Sequence, residues 1–598
     1  MMTISMKAVI AFAVLTMGGF YLWCVQAAND PFDWSHDKVE FYDMLGRAFA
    51  QGQFHLPLEP PPELLALPDP WDPQQNGRFA AYDLVLFKGR YYLYHGATPA
   101  LILFAPWRLL TRHDLPEPFG AFLFCFLGYQ FSCALFLRLL DAMGARPHAA
   151  VLGLLLLALG ICQGAPFLLQ RVLMYEVAIA AGYFSVSAAF WALAEGVLFS
   201  SVRPGLLAVS GLMFGLGVGC RPHLVIYAVA AGVMLWLLVR RLRPLAFFTA
   251  GLAVCLIAIA LYNYARFANP LEFGLRYQLA RDSYYRIGPA LMNLAPGIYY
   301  FLVSTPVWEP VFPFLRLAIR VPLSLPARYF VEPIAGVLAI CPAAIAGFAA
   351  TVALPRREIR TLARTICFGS LAVVLAIASL GLVSPRYELD FLPTLVLLAC
   401  LLAVWRWRLF AGALLLYSAI ANLALGVQGP YDQFVQRYPT AYVSMARWFS
   451  PIARFRPLYN PAVEVEASFE FPQSSQPGPM PLISAGRFGS HYQVTAEMVG
   501  NGKVRLTSVS PLIPGTAAIA EVDAPRGTPV RVRLVYLPER NRIVVDWNGQ
   551  TVIRQEIPFL VTAPEQVNAG EYRTDFGPVP FLFPGRVFAV SKTVHPYR

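Results

Sequence analysis

Asp30, Asp33, Asp37, Glu40, Asp43, Asp69, Asp72 and Asp83 all fall within residues 29–116, between two apolar runs of a chain in which only 14% of residues are charged. Carboxylates gathered in this way serve as general bases or acids, or as oxygen ligands for a divalent metal. The same stretch carries Tyr91, Tyr92, Tyr94 and His95, rings suited to stacking on a sugar or to anchoring at a membrane interface. Two arginines complete the set. Arg221 stands between two apolar runs in GLGVGCRPHLV, and Arg386 opens a polar patch, SPRYELDFLP, between two others. A cation in such a place is expensive and is functional by default, unless its head snorkels to water or an acid pairs with it. For Arg386, Glu388 or Asp390 is such a partner.

The elements that hold these residues are membrane helices. Hydrophobic residues make up 57% of the 598, a balance that no soluble domain of this size can cover with polar surface. Apolar runs at 7–28, 118–141, 147–167, 174–200, 204–220, 223–240, 244–265, 329–353, 361–383, 389–405 and 409–427 predict about eleven spans. The first ends in VQAA, which also reads as a signal-peptide cleavage site, but its apolar run suits a retained helix better. ATPALILFAPWRLL is broken by Pro99 and Pro106 and reads as an interfacial helix. Basic clusters at Arg240–Arg241–Arg243, Arg356–Arg357–Arg360–Arg364 and Arg406/Arg408 set the N-terminus on the cytoplasmic side. Residues 29–116, Arg221–His223, 266–328, Ser384–Asp390 and the C-terminus then share the outer face. The net charge of +12 follows this positive-inside pattern, with no basic-aromatic platform for nucleic acid. None of the nine cysteines lies in the acidic loop or the C-terminal region, so neither a disulfide framework nor a Cys/His metal site is expected.

Within the acidic loop, Asp37 and Glu40 sit at the start of a helix expected over 38–50, as a catalytic acid or as a capping pair. Asp83 precedes LVLFKGRYYLYHG, a hairpin turning at Lys88-Gly89, and is either a reactive carboxylate or a turn residue. Residues 266–328, rich in proline, read as interfacial or re-entrant helices beside the first loop, with Arg266 and Arg276 holding that loop against acidic neighbours. Residues 429–464 read as an amphipathic linker. From about 465 the pattern has period two, and Asn548-Gly549 marks a hairpin, so residues 465–598 are expected to form a β-sandwich. The fold class is therefore a mainly α, polytopic membrane protein with a C-terminal all-β domain. RVRLVYLPERNRIVVDWNGQTVIRQEIPF resembles concanavalin-like or laminin-G-like sandwiches, a likeness that carries no binding residue with it.

Three stretches of residues 7–427 resemble the GT-C class of polyprenyl-phosphate-dependent glycosyltransferases, the group of protein O-mannosyltransferases and lipid A aminoarabinose transferases. They are YDMLGRAFAQG in the acidic loop, GLGVGCRPHLV at a span end, and the Arg386-Tyr387 pair of SPRYELDFLP. The resemblance implies an enzyme of the outer face of a bacterial inner membrane. It implies transfer of a sugar from a lipid-phosphate donor to a glycan, lipid or protein acceptor, with or without a divalent metal. Asp37, Asp83 or Glu40 would be the general base, with Asp30 and Asp33 as alternatives, since the family's adjacent acidic pair is absent. Arg221, Arg386 and Arg276 would hold the phosphate, and Tyr92, Tyr94, His95 and Tyr387 would contact the sugar. The alternatives are a transporter or flippase of a lipid-linked sugar, or a scaffold displaying a glycan-binding sandwich. A transporter would be expected to show internal repeats and midplane charges, and neither is evident.

Overall fold

The computed structural model describes residues 4–34, 40–76, 79, 81, 83–199, 201–279, 288–308, 312–317, 319, 324–326, 329–430, 433–449, 462–472, 478–485, 492–500, 502–509, 517–524, 527–537, 542–556, 567–572 and 581–595. These form two compact units, Met1–Pro306 with Leu317–Val427, and Val307–Arg316 with Gln428–Arg598.

In the first unit, seven helices are long and apolar enough to cross a membrane: Met6–Ala28, Glu117–Met143, Met174–Val197, Pro222–Val239, Leu242–Phe267, Arg357–Ala378 and Arg408–Gln428. Four further runs expected as spans form shorter apolar helices, Ala149–Ile161, Pro204–Cys220, Ala343–Ala353 and Leu392–Trp405. The helix expected from 329 starts late. Pro333 and Pro342 interrupt it, and Phe330–Val331 instead pairs in parallel with Leu382–Val383.

Glycine sets the tightest helix contact. Gly211, Gly215 and Gly219 recur at four-residue spacing along Pro204–Cys220, and Gly211 and Gly215 face Leu242–Phe267. A Cβ at Gly211 would lie 1.9 Å from Phe248 O, and one at Gly251 would lie 2.0 Å from Ala208 O. Gly251→Val is therefore expected to cost about 1–3 kcal/mol, read as a fall in melting temperature, whereas Gly412→Val, with open space around it, should cost far less. At its other end, Gly219 packs on the acidic loop, where a Cβ at Gly96 would meet Gly219 O at 1.8 Å.

That loop contains the helix Phe41–Ala50, the hairpin Val85–Phe87/Arg90–Tyr92 and a broken helix over Ala100–Thr111. Lys88 and Gly89 turn the hairpin with positive φ, as a two-residue turn requires. Glu40 is not the third residue of a helix begun at Asp37; it is the residue preceding Phe41–Ala50. Its carboxylate accepts from Glu117 N at 2.6 Å, while that of Glu117 accepts from Tyr42 N at 2.7 Å, so two helix starts cap each other. Tyr42 then donates its hydroxyl to Gly96 O at 2.9 Å.

Asp43, one turn on, is buried beside Asp114, and both carboxylates face Arg47. Burial first and the Asp114 carboxylate second push Asp43 up to about 8, against the opposing pull of Arg47. The folded chain thus holds a proton that the unfolded chain releases above about pH 4. The stability this contributes is complete below that pH and lost as pH rises through about 8. Melting curves of the full chain across this range should fall less steeply for Asp43→Asn than for the wild type. Parallel curves would rule the effect out.

In the second unit, strands of period-two burial form two five-stranded sheets. Their orders are Ala518–Asp523, Lys503–Val509, Tyr492–Gly500, Met480–Ala485, Val567–Ala569, and Gln550–Glu556, Arg542–Trp547, Val530–Leu537, Ala462–Glu470, Arg586–His595. Every pairing is antiparallel, and inward residues of both sheets, from Val463 to Phe583, share one buried cluster. Asn548 and Gly549 make the expected turn with positive φ. Val307–Trp308 and Leu315–Arg316 pair within this unit, and Tyr442 donates to Phe312 O at 2.8 Å.

Candidate functional site

The first unit contains a half-open cavity of about 1360 Å³ lined by the helix ends and loops expected above to share one face. Its wall includes Asp83, Tyr94 and His95 from the acidic loop, Arg221 and His223 from a helix junction, and Arg386 and Tyr387 from the late polar patch. Residues 300 positions apart in the chain therefore converge.

Each is placed by local structure. Pro222 ends the Pro204–Cys220 helix by forcing Arg221 into extended backbone, and the chain restarts at once as the Pro222–Leu224 turn. Arg221 Nε then lies 3.0 Å from Asp390 Oδ2, which also meets His223 Nε2 at 2.9 Å. Arg386 and Asp390 belong to one short 3-10 helix, Pro385–Asp390. The parallel pairing of Phe330–Val331 with Leu382–Val383 brings Glu332 beside it, where Glu332 accepts from Ser384 Oγ at 2.6 Å. Arg386 lies 2.9 Å from Glu176 Oε1 and 3.4 Å from Glu332 Oε1. Glu176 uses its other oxygen to cap its own helix, accepting from Leu173 N at 3.0 Å. Glu388 is buried and makes no ion pair with Arg386 among the described residues, so the ion-pair partners of Arg386 come from distant segments.

Asp83 has positive φ and is half-buried. Tyr175 donates its hydroxyl to one carboxylate oxygen, and Gln278 Nε2 donates to the other at 3.1 Å. Backbone bonds from Asp83 N to Leu279 O and from Leu279 N to Leu84 O fix this segment to residues 278–279, which follow the short 3-10 turn Leu275–Tyr277 of the second loop. The carboxylate is thus aimed, and its orienting groups are neutral donors.

His95 packs on Tyr94 at 4.0 Å and stands edge-on to Tyr175 at 4.9 Å. Burial first, then Arg221 and Arg386, hold its imidazole well below the usual histidine range, so it is neutral at physiological pH. Its Nε2 has no hydrogen-bond partner among the described residues. The Tyr387 ring lies 4.4 Å from the Arg221 guanidinium and 5.7 Å from that of Arg386. Together these groups offer a carboxylate base, aromatic faces and two guanidinium groups around one space.

Other expected site residues lie elsewhere. Glu40 is committed to the helix start of Glu117, and Tyr92 packs on Phe267 and His55 away from the cavity wall. Arg276 is exposed on a short turn that contributes Leu275 and Gln278 to the wall instead. Asp37 is outside the described residues, and Asp30 and Asp33 are not on the wall. Sequence reading passed over Tyr175, Gln278, Glu176, Glu332 and Arg171; a polar pair opening an apolar span was the only signal for Tyr175 and Glu176. Among the described residues no group of three or more His, Cys, Asp or Glu side chains is arranged to hold a metal. All nine cysteines are free and buried.

No family model and no curated protein matches the chain. Among solved structures, the Ruminococcus gnavus IT-sialidase CBM40 bound to α2,6-sialyllactose is similar at 15% identity, over 24% of this chain and 81% of that one, with a TM-score of 0.18. The same protein bound to α2,3-sialyllactose gives 18% identity, coverage of 24% and 80%, and a TM-score of 0.18. Sheep galectin-11 in complex with glycerol gives 12%, coverage of 23% and 98%, and 0.13. Likenesses this slight say nothing about what the chain does.

Proposed function

We propose that the chain is an integral membrane glycosyltransferase that moves a sugar from a polyprenyl-phosphate donor to an acceptor hydroxyl at the outer face of a bacterial inner membrane. One observation carries this reading: an aimed carboxylate and two of the four wall arginines, Arg221 and Arg386, share one large cavity whose wall is otherwise mostly apolar. In this scheme Asp83 is the base. Its carboxylate takes the acceptor proton as the acceptor oxygen bonds to the anomeric carbon, and the bond from that carbon to the phosphate oxygen breaks. The leaving polyprenyl phosphate gains negative charge, which Arg221 and Arg386 stabilise. Tyr94, His95 and Tyr387 contact the sugar, with His95 in its neutral form.

The four shorter helices complete a set of eleven spans, some tilted or packed in the protein interior, with the N-terminus cytoplasmic and the C-terminal unit periplasmic. The two five-stranded sheets form a β-sandwich that assists acceptor binding. The test is transfer of radiolabelled sugar from polyprenyl-phosphate donors into membranes containing the full chain, with the Asp83→Asn chain as comparison. Loss of transfer in the variant supports the scheme, and equal transfer by both would remove Asp83 from it.

A further inference from the structure

Three of the four arginines on the cavity wall already have a carboxylate. Arg221 has Asp390 at 3.0 Å, Arg386 has Glu176 at 2.9 Å, and Arg171 has Glu332 at 3.6 Å. Arg266 has none within 4.0 Å among the described residues. It is 5% exposed, and its acceptors are neutral: Leu93 O at 2.8 Å and Asn263 Oδ1 at 2.7 Å. The guanidinium is held 3.9 Å from the centre of the Tyr262 ring and 4.5 Å from that of Phe267. This cation is fixed in place with no carboxylate in contact; Glu272 acts on it only at longer range. A buried charge in that condition is expensive, and an anion from outside the chain would relieve it.

The wall beside it says what else the anion carries. Arg266 ends the helix Leu242–Phe267, and Cys255, Ala258, Ile259 and Tyr262 of that helix line the same cavity. At a rise of about 1.5 Å per residue, this apolar strip runs about 16 Å from Arg266 back to Cys255. Gly215 and Gly219 pack closely against it from the neighbouring helix, so the two helices present one continuous wall to the cavity.

We propose that Arg266 and this strip seat a single anionic amphiphile, its phosphate group against Arg266 and its hydrocarbon tail along the helix towards Cys255. The proposal deepens the reading above and rests on it for naming the amphiphile as polyprenyl phosphate. Arg221 and Arg386, each balanced by acids, then hold charge that develops during reaction, while Arg266 supplies the standing attraction for the donor.

The full chain in nanodiscs of neutral lipid is titrated with polyprenyl phosphate, with the uncharged polyprenol and with inorganic phosphate. Wild type is expected to bind the phosphate lipid at least about tenfold more tightly than the alcohol. Arg266→Met should erase that difference and leave the ligand-free melting temperature unchanged or raised. Cys255→Trp should weaken both lipids alike, and Arg276→Gln should change neither. Undiminished binding of polyprenyl phosphate by Arg266→Met would overturn the proposal. So would a lower ligand-free melting temperature with equal loss of both lipids, which is the signature of a structural arginine. Inorganic phosphate competing as well as the lipid would show a free-phosphate site and remove the tail from the account. None of these readings involves sugar transfer. A chain that binds the lipid through Arg266 yet transfers no sugar leaves this site standing and overturns the enzyme.

Discussion

Asp83→Asn is expected to lower the rate of sugar transfer by about a hundredfold to ten-thousandfold, the range that removing a positioned general base produces. The substitution keeps the side chain's size and leaves the donor's phosphate contacts in place. Turnover should therefore fall while donor affinity changes little. The expected loss is large because the carboxylate is already aimed. Tyr175 and Gln278 each donate to it, and the backbone of residues 83–85 is pinned to 278–279. Full activity in Asp83→Asn together with inactivity in Asp37→Asn would move the base to Asp37, which is outside the described residues.

The second large effect is on stability. Asp390 is buried and is the partner of both Arg221 and His223. Asp390→Asn leaves the Arg221 guanidinium buried without a counter-charge, which costs about 3–5 kcal/mol, a melting-temperature drop of several degrees. Removing both charges, in Asp390→Asn with Arg221→Gln, should recover a substantial part of that loss, because the cost lies in the isolated cation. Thermal unfolding of the two chains decides this. If the double variant melts as low as or lower than the single one, the penalty does not arise from the unpaired charge.

The parts of this structure legible in the sequence were those carried by local chemistry. Apolar runs announce most of the long helices, Lys88-Gly89 and Asn548-Gly549 announce their hairpins, and Pro222 announces the helix end that presents Arg221. The expected alternation of spans groups Asp83, Arg221 and Arg386 on one side, and the three residues line one cavity. What stayed hidden depends on side chains meeting across the fold. Nothing near Arg386 in the chain points to Glu332, which reaches it only because two short strands pair in parallel. Glu388, two residues away, looks like the natural partner and makes no ion pair with it among the described residues. Arg266 was expected to answer an acid; its hydrogen bonds go to a carbonyl and an amide, and the acid that acts on it, Glu272, does so at longer range. Glu40 looked catalytic because helix starts and acid–base sites draw on the same carboxylates.

Under the proposed function, a bond to the lipid phosphate is broken in this cavity. This is tested most directly by supplying a doubly labelled polyprenyl-phosphate sugar to the reconstituted full chain and following both labels. Sugar label is expected to enter acceptor material as an equal amount of sugar-free polyprenyl phosphate appears, with both signals lost in Asp83→Asn. Movement of the intact lipid-linked sugar across the bilayer, with no polyprenyl phosphate released, would contradict this and identify a transporter.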